Sequence, residues 1–444
     1  MNGQPGAACI GENTCSPTAL PSAMTDPAKL HQLSERYYLP VYRPHPIVLD
    51  RGQGSRVWDS AGREYVDFGA GIAVNALGHA HPALIAALTA QAAKLWHTSN
   101  VFVSAPPLKL AQALVDAAGF AEQVFFCNSG AEANEAAIKL ARQWAAAQDR
   151  APDRRVILTF RGGFHGRTLA TVTATAQPKY QAGFEPLPGG FRYSDFNDLQ
   201  AAEAAMATGD VCAVLVEPIQ GEGGVTPATD DFLHGLRTLC DRHGALLMLD
   251  EIQCGMGRTG TLFACEGYGV RPDVVTLAKA LGAGFPIGAM LVGPAAAGGL
   301  GFGQHGSTFG GNPLAAAVAM AALREISSPA VLANVARQAQ ALRAGLEEIN
   351  RELGVFGEIR GRGLMIGAQL QPARSGEAGT VLERCLEHGL LLLQAGPDVL
   401  RFVPALNIGD DDVAEGLQRL RRALEAHVGA TRSSLPDATL DTRK

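Results

Sequence analysis

An alternation constrains this chain more than any other feature. Short apolar runs bounded by Gly, Pro or charge, QVFFCNSG from 123, RRVILTF from 154, CAVLVEPI from 212 and ALLMLDEI from 245, are separated by helical stretches such as AEANEAAIKLARQWAAAQ and ATDDFLHGLRTLCDRHG. Runs apolar on both faces suit strands covered on both sides, and the intervening segments are long enough for crossover helices. The pattern predicts an α/β fold with a largely parallel central sheet and helices on both faces. Such sheets gather ligands at the carboxyl ends of their strands, so the residues just past each run are where chemistry is to be sought.

The 444 residues suit two or three domains. After Pro313 come Ala-rich helical segments, LAAAVAMAALREI and VLANVARQAQALRAGLEEINREL, then strand-like GRGLMIGAQL and VLRFVPALNI, then a helix DDVAEGLQRLRRALEAHV. Near the other end, VWDSAGREYVDFG predicts two short strands about a bend at Ala61-Gly62. Together these predict a smaller α+β domain assembled from residues 24–79 and 331–426 around a large domain of residues 80–330. Residues 1–23 and 427–444 are small, polar and Pro-bearing, and are expected to be disordered.

Composition excludes several classes. A net charge of −6 offers no polybasic surface, so neither nucleic acid nor an anionic membrane is an expected partner. The eight cysteines form no CxxC pair and no grouping with histidines, which argues against a disulfide framework and against a metal site. No apolar run reaches membrane-spanning length, and the first 23 residues lack a basic segment followed by an apolar one. A cytoplasmic location is expected.

Three features fall beyond the predicted strands. In FFCNSGAEANEAAIKLA a strand turns at Asn128-Ser129-Gly130-Ala131 straight into a helix, whose first-turn amides suit an anion; a simple helix cap has the same appearance. In LLMLDEIQCGMG the carboxylate of Asp250 ends an apolar strand, where it needs a cation or strong donors, or else caps a helix. In VTLAKALGAGFPIGAM the one charged residue, Lys279, either snorkels from a core edge or is held where its amine is neutral and nucleophilic. An anion seat, a strand-end carboxylate and a sequestered lysine are the parts a pyridoxal 5'-phosphate enzyme needs: a phosphate site, a partner for the ring nitrogen and a Schiff-base amine.

The chain resembles the class III, fold-type I, pyridoxal-phosphate-dependent aminotransferases, and among them the acetylornithine and succinylornithine aminotransferases. The resemblance spans about residues 37–425 and is carried by GIAVNALGHAHP (71–82), NSGAEANEAAIKLAR (128–142), GGFHGRT (162–168), VEPIQGEGGV (216–225), LDEIQCGMGRTG (249–260), AKALGAGFPIGAM (278–290), HGSTFGGNP (305–313) and LRFVP (400–404). It implies that Ser129, Gly130 and Ala131 hold the cofactor phosphate, that Phe164 stacks on the ring, that Asp250 pairs with the ring nitrogen, that Gln253 reaches the ring hydroxyl, and that Lys279 is both Schiff-base lysine and proton carrier. It further implies a homodimer in which Thr308 adds a phosphate contact across the interface.

For substrates, the same resemblance implies that Arg167 grips the far carboxylate and Arg401 the near carboxylate of glutamate or 2-oxoglutarate. On sequence alone Arg401 also suits a strand edge facing solvent. Glu222 is implied to mask Arg401 when the amine-bearing carbon of the substrate has no carboxylate. Tyr42 is a further candidate at the substrate carboxylate, and Glu217 lies near this region. Gly71 stands where ornithine aminotransferases carry a bulky aromatic residue, which would leave room for an N-acyl group. Cys127 and Cys254 are expected to be buried small residues, and His79, His81, His165 and His305 packing or hydrogen-bonding residues.

The expected activity is transfer of the terminal amine of N2-acetylornithine or N2-succinylornithine to 2-oxoglutarate, giving the semialdehyde and glutamate, with succinyldiaminopimelate as a further substrate. Alternatives are an aminotransferase for 4-aminobutyrate, ornithine or other terminal amines, an aminomutase, and a cofactor-binding homologue without turnover.

Overall fold

The structure, a computed structural model, describes residues 26–433, so the segment 1–23 lies outside the described residues. Two compact units are present. Among the described residues, the smaller comprises those up to Arg51 together with Trp58–Glu64, and the larger comprises Gly52–Val57 and those from Tyr65 on. In the smaller unit the helix Pro27–Tyr37 starts with Asp26 accepting from the Ala28 amide, and none of its side chains is buried. The bend expected at Ala61-Gly62 is held by Asp59, whose Oδ1 accepts from the amides of Ala61 and Arg63 at 3.0 and 2.8 Å.

The larger unit is built on a seven-stranded sheet. Its strands in chain order are β1 (Gln123–Cys127), β2 (Val156–Phe160), β3 (Phe191–Ser194), β4 (Val211–Val216), β5 (Leu246–Asp250), β6 (Val274–Leu277) and β7 (Gly288–Val292). Their spatial order is β1-β7-β6-β5-β4-β2-β3. All pairings are parallel except those of β7, which runs antiparallel to both neighbours. The fold class is therefore α/β with a mostly parallel sheet, as the alternation of runs predicts.

Successive residues of a strand point to opposite faces, and the core divides accordingly. Leu246 and Met248 join Ile157, Ala213, Leu215 and Val274 in one buried cluster that includes the inner face of helix Gly130–Ala146. Leu247 and Leu249 join Leu158, Val214, Val216 and Val275 in another, against helix Asp230–His243 and the Ala-rich helix Pro313–Ile326. Helices thus cover both faces. β3 and β7 are the strands the sequence did not announce: FRYS is a short edge carrying an arginine, and GAMLV follows Lys279 so closely that it reads as part of one loop motif. Gly288 is required where β7 begins, since a Cβ there would lie 2.5 Å from the Ser129 carbonyl oxygen.

A second sheet, fully antiparallel, contains Phe356–Arg362, Met365–Leu370, Val399–Phe402 and Leu393–Gln394 in that spatial order. Helices Pro329–Leu353 and Ala378–Glu387 pack on it. The last helix, Asp410–Ser433, runs past residue 426, into the stretch where composition suggests disorder. Among the described residues no single helix is long and apolar enough to cross a membrane.

Candidate active site

A cleft of about 420 Å³ opens at the carboxyl ends of β1, β5 and β6. Its walls include Ser129, Gly130, Ala131, Phe164, Arg167, Asp250, Gln253 and Lys279, so eight residues singled out from sequence meet there.

One end is a helix start. β1 ends at Cys127, and Ser129 caps helix Gly130–Ala146, its Oγ accepting from the Glu132 amide at 3.2 Å. Glu132 reaches back to accept from the Asn128 amide at 2.5 Å. The amides of Gly130 and Ala131 have no intrahelical acceptor and lie on the wall of the cleft, where a phosphate would meet both them and the positive end of the helix dipole.

Asp250, only 4% exposed, closes β5. Its Oδ2 accepts from His165 Nδ1 at 2.8 Å and from Asn134 Nδ2 at 2.7 Å, and its Oδ1 accepts from the Ile252 amide at 3.1 Å. Burial works against a charged imidazole at His165, yet the hydrogen bond and charge of Asp250 outweigh it and hold His165 above its ordinary value. The carboxylate is thus fixed by three donors and available to one more, as a protonated ring nitrogen requires.

Lys279 follows β6 and sits partly buried with a positive φ of 43°, an uncommon conformation for a side chain of its size. Burial, with Arg401 nearby, lowers its pKa, while Glu222, Asp250 and Glu217 oppose the change. A depressed amine is more often neutral, and a neutral amine is the nucleophile a Schiff base needs. The anion seat, the held carboxylate and this amine line one cleft, so the donor set suits pyridoxal phosphate.

Phe164 lies on the cleft wall with its amide donating to Glu217 Oε1 at 2.8 Å, and its ring meets Tyr180 edge-on at 5.7 Å. Arg167 is exposed, with its guanidinium 4.2 Å from the Tyr180 ring centre and no carboxylate partner among the described residues. The Glu217 carboxyl also accepts from the Gly221 amide at 3.1 Å, and burial pushes it up to about 7. It therefore ties the Phe164 turn to the Gly221-Glu222 turn.

Arg401, 3% exposed, projects from strand Val399–Phe402. Its Nη1 donates to Glu222 Oε1, to Gln253 Oε1 at 3.1 Å and to the Gly221 carbonyl at 3.4 Å, while its buried Nε has no acceptor among the described residues. The strand-edge alternative, a guanidinium facing solvent, is thereby excluded. Gln253, assigned by resemblance to the ring hydroxyl, has its carbonyl engaged with Arg401, leaving its amino group as the free end.

Two predicted residues lie elsewhere. Thr308 is exposed and lines a separate depression with Phe125, Asn128, Glu132 and His305. Tyr42 belongs to the smaller unit, where it is 84% exposed. Gly71 has a reason of its own: Ala70 to Ala73 all have positive φ, between 44° and 64°, a left-handed turn in which glycine is the least strained residue. Cys127 and Cys254 are buried, with burial raising both thiols, that of Cys127 to about 12.

Asn134, Thr276 and Glu251 were not anticipated. The signal for Asn134 was available, since it stands on the buried Ala-rich face of AEANEAAIKLA, where an amide needs partners. Glu251 is 1% exposed and accepts from the amides of Ala264 and Cys265 at 2.6 and 2.8 Å, anchoring helix Ala264–Tyr268.

Comparison with known proteins bears on this geometry. The profile of the aminotransferase class-III family matches residues 37–424. An acetylornithine aminotransferase of Xanthomonas campestris pv. campestris is 69% identical over 392 residues, which cover 88% of this chain and 96% of that one. A succinylornithine transaminase of Yersinia enterocolitica is 53% identical over 399 residues, covering 89% of this chain and 96% of that one. Among solved structures, N-acetylornithine aminotransferase from Stenotrophomonas maltophilia K279a superposes with a TM-score of 0.80 at 59% identity, covering 90% of this chain and 99% of that one.

Proposed function

Since the chain belongs to the class-III aminotransferases, which are pyridoxal-phosphate-dependent, we propose that it moves the terminal amine of an N2-acylated ornithine to 2-oxoglutarate. The observation that carries this reading is the buried Arg401–Glu222 pair beside Lys279. A bare guanidinium favours substrates with a carboxylate at the reacting carbon, while one bridged to a carboxylate accepts a terminal amine without one, so exchange of the bridge admits both substrates in turn. The acetyl group is the preferred acyl group, supported by relatives named for acetylornithine at 69% identity against 53% for a succinylornithine transaminase. Succinylornithine and succinyldiaminopimelate are further candidate donors.

When bound, pyridoxal phosphate supplies an electron sink for the substrate carbon. The chain's residues do the rest. Ser129 and the amides of Gly130 and Ala131 would seat its phosphate, Phe164 would cover its ring, Asp250 would accept a hydrogen bond from the protonated ring nitrogen, and the amino end of Gln253 would face the ring hydroxyl. Lys279 would hold the cofactor through Nζ, and the same amine, when free, would take up and return the proton of the substrate's amine-bearing carbon. Arg167 takes the far carboxylate.

The enzyme works as a homodimer, with Thr308 contacting the phosphate of the partner site. Two observations support this. Thr308 is exposed outside its own lysine's cleft, and the segment carrying it and the exposed Phe309 is tied to the segment of exposed Val101, Phe102 and Val103 by Asn100, which donates to the carbonyls of Ser307 and Gly310. An exposed apolar surface of this kind suits a second copy.

The test is the cofactor absorbance of the purified holoenzyme on adding one amine without an oxo acid. Conversion to the aminated form should be fastest with N2-acetylornithine, slower with N2-succinylornithine and slowest with 4-aminobutyrate. Faster conversion with 4-aminobutyrate or free ornithine would replace the acylornithine reading with the broader terminal-amine one.

A further inference from the structure

The cleft rests on a polar chain that its immediate walls do not reveal. Asn134 is fully buried one helical turn beyond the anion seat. Its Nδ2 donates to Asp250 Oδ2 at 2.7 Å and to the His165 carbonyl at 2.8 Å, and its Oδ1 accepts from Thr276 Oγ1 at 2.8 Å. Thr276 is itself fully buried on β6, in register with Asp250 on β5.

This arrangement has only one satisfied orientation. An amide flip would set the Asn134 carbonyl against a carboxylate and another carbonyl, both of them acceptors, and strip the His165 carbonyl of its amide donor. The Asp250 carboxylate and the His165 carbonyl therefore decide which end of the amide faces them, and Thr276 holds the other end by donating to Oδ1. The helix adds a distance. Gly130 and Ala131 sit in its first turn and Asn134 about one turn later, roughly 5 Å along the axis. One rigid element thus sets both the phosphate seat and the carboxylate that faces the far end of the same ring.

We propose that Asn134, held at its carbonyl by Thr276, is a positioning residue that fixes the Asp250 carboxylate against the cofactor's ring nitrogen and, through helix Gly130–Ala146, keeps that contact in step with the phosphate seat. The proposal rests on the reading of Asp250 given above. It assigns Asn134 no contact with substrate.

Without its amide donor, Asp250 keeps His165 and the Ile252 amide but loses one of the two donors that hold Oδ2, and the carboxylate is held less tightly. A ring-nitrogen proton held less steadily leaves less positive charge on the ring. Positive charge there depresses the pKa of the protonated linkage at Lys279, so its loss moves the cofactor's colour change to higher pH.

The experiment is a pH titration of cofactor absorbance in holoenzyme carrying Asn134→Leu, Thr276→Val or Thr276→Ser, with cofactor retention on dialysis and thermal midpoint measured alongside. Asn134→Leu should shift the colour change upward by on the order of one unit and weaken cofactor retention about tenfold, the effect of one lost charge-assisted hydrogen bond. Thr276→Val should do the same to a smaller extent, and Thr276→Ser should match the parent. The proposal is overturned if both Asn134→Leu and Thr276→Val lower the thermal midpoint but leave titration and retention unchanged, because the network would then be packing only. Should Asn134→Leu not fold, Thr276→Val against Thr276→Ser decides alone. Asp250→Asn separates the two levels: if it too leaves the titration unchanged, the reading of Asp250 fails and the role assigned to Asn134 fails with it, whereas a shift in Asp250→Asn alone rejects only the role of Asn134.

Discussion

Two charged groups, Asp250 on the cleft wall and Arg401 behind Gln253, are held differently. Asp250 lies at the end of a central strand and takes three hydrogen bonds from donors on a helix, a turn and its own backbone, each buried or part-buried. Arg401 is as deeply buried, but its carboxylate partner Glu222 keeps 23% of its side chain exposed, and its buried Nε lacks an acceptor among the described residues. A group satisfied on every side stays put. A guanidinium with one movable partner and an idle donor can exchange that partner for a substrate carboxylate. On the proposed function, the group that would serve the cofactor is held rigidly and the group that would serve the substrates is free to alternate, as transfer between two unlike substrates needs.

The sharpest break removes the lysine whose charge both groups influence. Lys279→Ala should lower kcat by about 10⁴-fold or more, since both covalent attachment and proton transfer depend on that amine; turnover within tenfold of the parent would displace Lys279 from the mechanism.

A smaller effect is expected at the alternating group. Arg401→Lys keeps the charge but loses the planar fork, and should raise KM for 2-oxoglutarate by about 10- to 100-fold with little change for the acylornithine, as measured by separate half-reaction titrations.

Next to the rigid group, Glu251 sharpens the comparison through pH. Burial raises its carboxyl from 4.5 to about 7 in the folded protein. The folded state therefore binds the proton more tightly, and the stability contributed by this group is full below about 4.5 and is lost as pH rises through about 7. The thermal midpoint of the parent should decline across that window, and Glu251→Gln should decline less.

The smallest effect is expected far from both groups. Arg421 pairs with Glu348 and Glu352 on partly exposed helix surfaces, and Arg421→Ala should cost about 1 kcal/mol or less in chemical denaturation and leave kinetics untouched.

The two groups differ in legibility as well. Strands buried on both faces declare themselves as apolar runs, so the positions of Asp250 and Lys279 after β5 and β6 could be read from the chain. β7 could not, because its first residues share a loop with Lys279 and its antiparallel direction depends on pairing with β1, more than 150 residues earlier. The charge at Arg401 was visible, but its burial was not: VLRFVPAL is equally consistent with an edge strand until Glu222, 179 positions away, is brought against it. Asn134 could be noticed as a polar residue on an alanine face, whereas its orientation depends on a carboxylate 116 positions on, at Asp250, and its carbonyl on a threonine 142 positions on. Local pattern gave the elements; polar partners separated by a hundred residues or more required the fold. Gly71 admits two readings at once, since a glycine that leaves room for an acyl group also stands in a left-handed turn that eases its backbone.

The most direct test of an exchangeable partner at Arg401 is single-turnover absorbance in Glu222→Gln, following the N2-acetylornithine and 2-oxoglutarate half-reactions separately. If Glu222 masks Arg401 for the amine donor, the acylornithine half-reaction should slow by about 10- to 100-fold while that with 2-oxoglutarate is unchanged or faster. Equal slowing of both half-reactions would contradict the account, because it would make the Arg401–Glu222 pair a fixed structural tie like the one that holds Asp250.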